Sequence, residues 1–340
     1  MPMRTRAIYG CAGLTLSGEE RAFFHEAQPW GFILFARNVA DPDQVRALVD
    51  ELRDAVGDAD APVLIDQEGG RVARLGPPHW RKAPPGRVLG ELYARNPEAG
   101  LEAARLNSRL LALDVASVGC DVDCLPVLDI ALPGAHSVIG DRAYAEQPEA
   151  VAAIGRAAAE GLMAEGVMPV IKHIPGHGRA MVDSHHAAPT VTESRDTLER
   201  TDFLPFKLLS DLPWAMTAHV VYEAVDPMAV LTVSARGVKD VVRGHIGFDG
   251  LLLSDDLSMQ ALGGRLGQRA AKVLAAGCDI ALHCNGEPAE MVEVAANTGA
   301  MSRDAVRRFE DGRRYLARHR APQAAKDTRK RLTELLPEWG

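Results

Sequence analysis

Eight short apolar runs recur along the chain, and between most of them lie stretches with helical periodicity. The runs read AIYGCAG, GFILFA, PVLID, CDVDCLPVLDI, VMPVIKH, WAMTAHV, GLLLSDD and CDIALHC. A strand that is apolar along its whole length, not at alternate positions, is covered on both faces. Such strands alternating with helices belong to parallel sheets. The intervening segments supply the helices. In DPDQVRALVDELRDAV, Asp41 is placed to cap the N-terminus, Pro42 takes the first helical position, and apolar residues follow at helical spacing. PEAGLEAARLNSRLLALDVASVG, ending at Gly119, is a second helix, and QPEAVAAIGRAAAEGLMAEG, VSARGVKDVVRGHIG and GQRAAKVLAAGC follow. Eight strands within about 290 residues fit a (β/α)8 barrel, whose usual size is about 250. An open doubly wound sheet is the alternative. It calls for a Gly-rich phosphate turn after the first strand, and GCAGLTLSG is not G-x-G-x-x-G.

No linker divides the 340 residues, so the expectation is one domain over 1–340. From Ser302 onward the chain is charged and helical, and RDAVRRFEDGRRYLARH reads as an exposed-face helix in a peripheral tail over 302–340. The net charge of −8 argues against a nucleic-acid partner, which calls for a basic face. The five cysteines are odd in number and widely spread, which reads as buried, reduced thiols. The N-terminus MPMRTRAIYGCAG lacks the apolar core of a signal peptide, and no run of about eighteen apolar residues is present. The expectation is a soluble, cytoplasmic protein with no membrane partner. Oligomeric state is not legible.

In a (β/α)8 barrel the reactive groups sit at the C-terminal ends of the strands. Asp66 ends PVLID, Asp129 ends LPVLD, Lys172 and His173 end MPVIKH, His219 ends AMTAH, Asp255 and Asp256 end GLLLSDD, and Cys284 and Asn285 end IALHCN. Any one of these could be an ordinary strand terminus. Six runs ending the same way converge on one mouth, rich in groups that bind hydroxyls. That composition suits a carbohydrate better than an apolar ligand. Two long loops add arginines. DQEGGRVARLGPP follows the third strand, where Gly69 and Gly70 allow a tight path and Arg71 and Arg74 can return to the mouth, or brace Asp66 or Glu68. HSVIGDRAY follows the fourth strand and brings Arg142, whose fork can hold a carboxylate or several hydroxyls. The loop KHIPGHGRAMVDSHH holds four of the eleven histidines and has no strand or helix period at its HGRAMVDSHH end, as expected of a mobile closing loop.

DQEGGRVARL, SVIGDRAY, KHIPGHG…DSH and SDDLSM occur in this order. The chain resembles the single-domain bacterial β-N-acetylglucosaminidases (NagZ type) of glycoside hydrolase family three, from about residue 5 to 300. It departs at Ile174, where those enzymes more often carry phenylalanine, and in having His186 directly after His185. The resemblance implies a retaining hydrolase that removes terminal β-linked N-acetylglucosamine from peptidoglycan-derived muropeptides in the cytoplasm, with no cofactor and no metal. It implies Asp255 as nucleophile, His185 as acid/base and Asp183 as its partner. It implies Asp66, Arg74, Arg142, Lys172 and His173 as sugar-binding groups. Asp256 is then expected to cap a helix beginning near Leu257, His177 to brace its loop, and Arg71, Asp129 and His219 to support the site from behind. A retaining mechanism needs a carboxylate beneath the anomeric carbon and a proton donor at the leaving oxygen, and a histidine titrating near neutrality can serve as that donor. Two alternatives share the barrel. One is a related β-glucosidase, against which the DSH loop speaks. The other is a metal-dependent hydrolase using His173, His177, His185, His219 and Asp255.

Overall fold

The computed structural model describes residues 4–130, 132, 134, 137–180 and 188–339. Its eight central strands are β1 (Thr5–Tyr9), β2 (Pro29–Leu34), β3 (Val63–Ile65), β4 (Val122–Asp123), β5 (Met168–Ile174), β6 (Trp214–Thr217), β7 (Leu251–Asp256) and β8 (Ile280–His283). Each pairs in parallel with its neighbour, and β1 pairs with β8 through Ala7–Ala281 and Tyr9–His283, closing the barrel. The eight apolar runs are these eight strands. Closure excludes the open doubly wound sheet.

The helices are α1 (Gly18–Ala27), α2 (Pro42–Val56), α3 (Gly86–Arg95), α4 (Pro97–Ser117), α5 (Pro148–Ala164), α6 (Arg195–Arg200), α7 (Leu204–Leu208), α8 (Leu266–Ala276), α9 (Pro288–Ala295), α10 (Arg303–His319) and α11 (Ala325–Leu335), with a π-helical segment over Gly237–His245. Local chemistry sets their ends. Asp41 accepts hydrogen bonds from the amides of Asp43 and Gln44 at the start of α2, and Gly57 closes it in the left-handed region. Ser17 and Glu20 form a reciprocal capping box on α1. The helix expected at Leu257 does not form. Residues 257–265 are turns and bends, and the next helix begins at Leu266.

Side chains alternate about the barrel wall. Ala7 and Tyr9 of β1 pack outward against the helices, whereas Ile8 points into the barrel with Ile33, Leu64, Val122, Val170, Met216, Leu253, Ile280 and Leu282. The N-terminal end of that interior is sealed by aromatic rings. Trp30 of β2 lies 5.1 Å from Trp214 of β6 and 5.4 Å from Phe309 of α10, centroid to centroid. Gly312 makes the close approach possible, because a Cβ there would stand 2.5 Å from the indole nitrogen of Trp214. Arg308 pins the helix by donating to Asp279 at 2.9 Å. The C-terminal segment is therefore not merely peripheral. α10 exposes its charged face as expected, but its apolar edge closes the barrel floor, while α11 packs on α4. The expectation missed this because Ala305, Phe309 and Gly312 are a narrow apolar stripe in a highly charged helix.

Candidate active site

The strands end at a cavity of about 400 Å³ on the opposite face. Its walls include Asp66, Arg74, Arg142, Lys172, His173, Asp255 and Asp256, together with Glu68, Arg71, His177 and Cys284. All of the sugar-binding candidates and the candidate nucleophile thus share one concavity. Asp183 and His185 lie outside the described residues, as does His186.

One wall is a chain of opposite charges. Lys172, buried at the end of β5, donates to Asp66 Oδ1 at 2.7 Å and pairs with Glu68 Oε1 at 2.7 Å. Arg74 donates to Asp66 Oδ2 at 2.8 Å. Arg142 grips Glu68 with two parallel bonds of 2.7 and 2.8 Å. Asp66 and Glu68, two residues apart at the start of a short antiparallel ribbon of Gln67–Gly69 with Val72–Ala73, reach the same cation, Lys172. Gly69 (φ +95°) allows the turn, since a Cβ there would stand 2.3 Å from the Pro84 carbonyl oxygen. Burial alone would raise both carboxyl pKa values. The adjacent Lys172, Arg74 and Arg142 outweigh it, lowering Asp66 below the ordinary range and Glu68 to about 2. Burial opposes the charge on Lys172, but its two carboxylates hold the ammonium well above its ordinary pKa. The wall is ionised throughout the neutral range.

Arg74 thus braces Asp66, the local role its sequence position allows, while remaining on the cavity wall. Arg71 braces neither acid. It donates to Asp141 at 2.9 Å and to the carbonyl oxygens of Ser137 and Val138, tying the first long loop to the second. Glu68 is a cavity-wall position that the sequence reading named only as an acid an arginine could brace. Its signal was the acidic i, i+2 spacing to Asp66.

Opposite stands a histidine pair held by Asp129. Asp129 Oδ2 lies 2.6 Å from His173 Nδ1, and its Oδ1 accepts from the His177 amide at 2.6 Å. Burial disfavours the Asp129 anion, yet the two histidines and these bonds bring its pKa down to about 2. With Nδ1 committed to the carboxylate, His173 has Nε2 to face the cavity. His177 packs edge-on against His173 at 5.7 Å, and burial lowers its pKa to about 4, so its ring is neutral at pH 7. It braces the loop through its main chain, as expected, but its ring also lines the cavity.

Asp255 sits at the end of β7 and is buried, with one edge toward the cavity. Its Oδ1 accepts from the Asp256 amide at 2.8 Å. Burial would neutralise it, but His219, His173, that amide and Lys172 keep its pKa below the ordinary value, so it is an anion at pH 7. Asp256 is turned to other work. Its carboxylate accepts from the Ser258 amide at 3.2 Å, from the Ser258 hydroxyl and from the Cys284 amide at 3.1 Å. The local cap-like bond exists without a helix behind it. His219 and Asn285 are not among the cavity-lining residues; Asn285 donates to Glu290 at 3.0 Å, and His219 lies behind β7. All five cysteines are buried and unpaired, as expected.

Comparison with known proteins agrees with this geometry. The family model described as the glycosyl hydrolase family 3 N-terminal domain matches residues 12–310. A β-hexosaminidase of Alkalilimnicola ehrlichii is 40% identical over 282 residues, covering 82% of this chain and 80% of that protein. One from Chromobacterium violaceum is 40% identical over 278 residues, covering 81% and 77%. The crystal structure of NagZ from Neisseria gonorrhoeae in complex with N-trifluoroacetyl-D-glucosamine is similar with a TM-score of 0.86 at 31% identity, covering 98% of each chain. Among the described residues no helix is long and apolar enough to cross a membrane. The family model spans most of the chain and these relatives match it at 31–40% identity, so this chain belongs to glycosyl hydrolase family 3.

Proposed function

We propose that the chain is a retaining exo-β-N-acetylglucosaminidase acting on terminal β-linked N-acetylglucosamine of peptidoglycan-derived muropeptides in the cytoplasm. The observation that carries the reading is Asp255: an anionic carboxylate on a rigid strand end, facing a cavity whose other walls include fixed cations, carboxylates and the imidazoles of His173 and His177. The β-hexosaminidase names of the relatives and the N-trifluoroacetyl-D-glucosamine bound by the gonococcal protein support the choice of an amino sugar.

In this mechanism Asp66, Arg74, Arg142, Lys172 and His173 hold the ring hydroxyls. Asp255 attacks the anomeric carbon through an oxocarbenium-like transition state while the leaving oxygen takes a proton from His185, whose imidazole Asp183 orients. The glycosyl–Asp255 ester then forms. Water attacks the same carbon, gives its proton to His185, and Asp255 returns as carboxylate.

A panel of chromogenic β-glycosides of N-acetylglucosamine, glucose and N-acetylgalactosamine tests the substrate, and the N-acetylglucosaminide is expected to turn over fastest. Strongest turnover of the glucoside would remove the sugar assignment. For the acid/base, His185→Ala is expected to keep glycosylation by phenols of low pKa and to stall afterwards, giving a pre-steady-state burst that azide relieves. A burst in His186→Ala but not in His185→Ala would move the role to the neighbouring histidine.

A further inference from the structure

His219 closes β6 and is completely buried, behind the proposed nucleophile instead of in the cavity. Its Nε2 lies 3.0 Å from the carbonyl oxygen of Asp256. A carbonyl oxygen only accepts, so Nε2 carries the proton. Its Nδ1 lies 2.8 Å from Thr232 Oγ1, and Thr232 Oγ1 is 2.8 Å from Thr217 Oγ1. Thr232 Oγ1 also lies 3.0 Å from the Ala218 carbonyl oxygen, and its single proton goes either there or to Nδ1; in both orders Thr217 donates to Thr232 and Nε2–H donates to Asp256. Burial disfavours the charged imidazole and lowers its pKa, while the adjacent Asp255 and Asp256 favour it. The charged and titratable groups around it are the Asp255 and Asp256 carboxylates of β7 and His173 of β5.

The Asp256 residue is held on three sides. Its amide holds Asp255 Oδ1, its carboxylate takes Ser258 and Cys284, and its carbonyl takes His219. Those bonds determine where the Asp255 oxygens stand. No helix begins at Leu257 to stiffen this stretch, so the side-chain bonds supply the rigidity that a helix N-terminus would.

We infer that His219, with Thr232 and Thr217 behind it, is a positioning residue for the nucleophile: it fixes the Asp255–Asp256 turn by donating to the Asp256 carbonyl, and takes no part in proton transfer. The inference rests on Asp255 being the nucleophile. A small misplacement of a reacting atom costs on the order of 10²-fold in rate, so His219→Ala should lower kcat about that much with KM within about threefold. Gln places an amide N–H near the Nε2 position and Asn near Nδ1. His219→Gln should therefore recover to within about tenfold of the parent, whereas His219→Asn should resemble Ala. Thr232→Val, which removes the hydroxyl partner of Nδ1, should lose about threefold to tenfold in kcat.

The experiment measures kcat, KM and the pH profile of kcat/KM for these four variants, with rates of covalent trapping by a fluorinated N-acetylglucosaminyl donor. Expected are a parallel fall in kcat and trapping rate, rescue by Gln but not Asn, and an unchanged pH profile in His219→Gln. Equal losses in Gln and Asn, a change in KM alone, or loss of a pH limb in His219→Gln would overturn the inference. Should His219→Ala fail to fold, the Gln, Asn and Thr232→Val comparison decides in the same terms. Asp255→Ala in parallel separates the two readings: if it stays active, the nucleophile assignment fails; if it is inactive while the His219 series is silent, only the positioning role fails.

Discussion

The two ends of the barrel are built from the same strands and have opposite chemistry. β2 places Trp30 at the floor and Ile33 near the mouth, β6 runs from Trp214 to Thr217 with His219 just beyond, and β7 from Leu251 to Asp255. At the floor the strands meet rings: Trp30, Trp214 and Phe309. At the mouth they meet ions: Asp66, Glu68, Lys172, Arg74 and Arg142. Burial of rings stabilises without directional demand. Burial of ions is tolerable only because each is paired, and the pairing leaves a field already arranged for a polar ligand. The floor holds the strands together; the mouth uses part of that stability to keep charges out of water.

This contrast is open to direct attack. The largest effect is expected at the mouth, where Asp255→Ala should cut kcat by about 10⁴-fold or more while the thermal midpoint stays near that of the parent. Substantial residual turnover in this variant with loss in Asp256→Ala would exchange the roles of the two aspartates. At the floor, Phe309→Ala should do the reverse, lowering unfolding free energy by about 3–5 kcal/mol in urea titration with kcat/KM unchanged at 25 °C. A fall in kcat/KM there would mean that the two ends are coupled. Lys172→Ala tests both properties at once. KM should rise more than kcat falls, and stability should drop by about 3–5 kcal/mol, because Asp66 and Glu68 are left buried without their shared cation.

The smallest effect concerns acid. Glu68 and Asp129 are each held at about 2 in the fold, below the ordinary range near 4. Protons therefore bind the unfolded chain first. Their stabilisation is complete above about pH 4–5 and is lost as pH falls toward 2. Urea midpoints measured from pH 5 down to pH 2.5 should decline more steeply for the parent than for Glu68→Gln.

Sequence legibility divides along the same line. The eight strands and the main helices could be read because buried parallel strands are apolar throughout and helices carry their own period and caps. The residues gathered at the mouth could be read because polar groups ending apolar runs are few and fall at the same end. What escaped depended on distance in three dimensions. Glu68 looks like any loop acid until Arg142 and Lys172 arrive from 74 residues away and from β5. The floor role of α10 hides behind its arginines, because three small or apolar positions carry it. The false helix at Leu257 came from reading an aspartate before an apolar residue as a cap, when its carboxylate is engaged by Ser258 and Cys284.

The central claim is that Asp255 is the atom-bearing nucleophile of a covalent mechanism. It is tested most directly by incubating the protein with a slowly hydrolysed fluorinated N-acetylglucosaminyl donor and mapping the adduct by peptide mass spectrometry. The account predicts one glycosyl group per chain, esterified to Asp255, formed in step with loss of activity and released by water or azide. An adduct on Asp256 or elsewhere, or turnover with no adduct at any time, would contradict it.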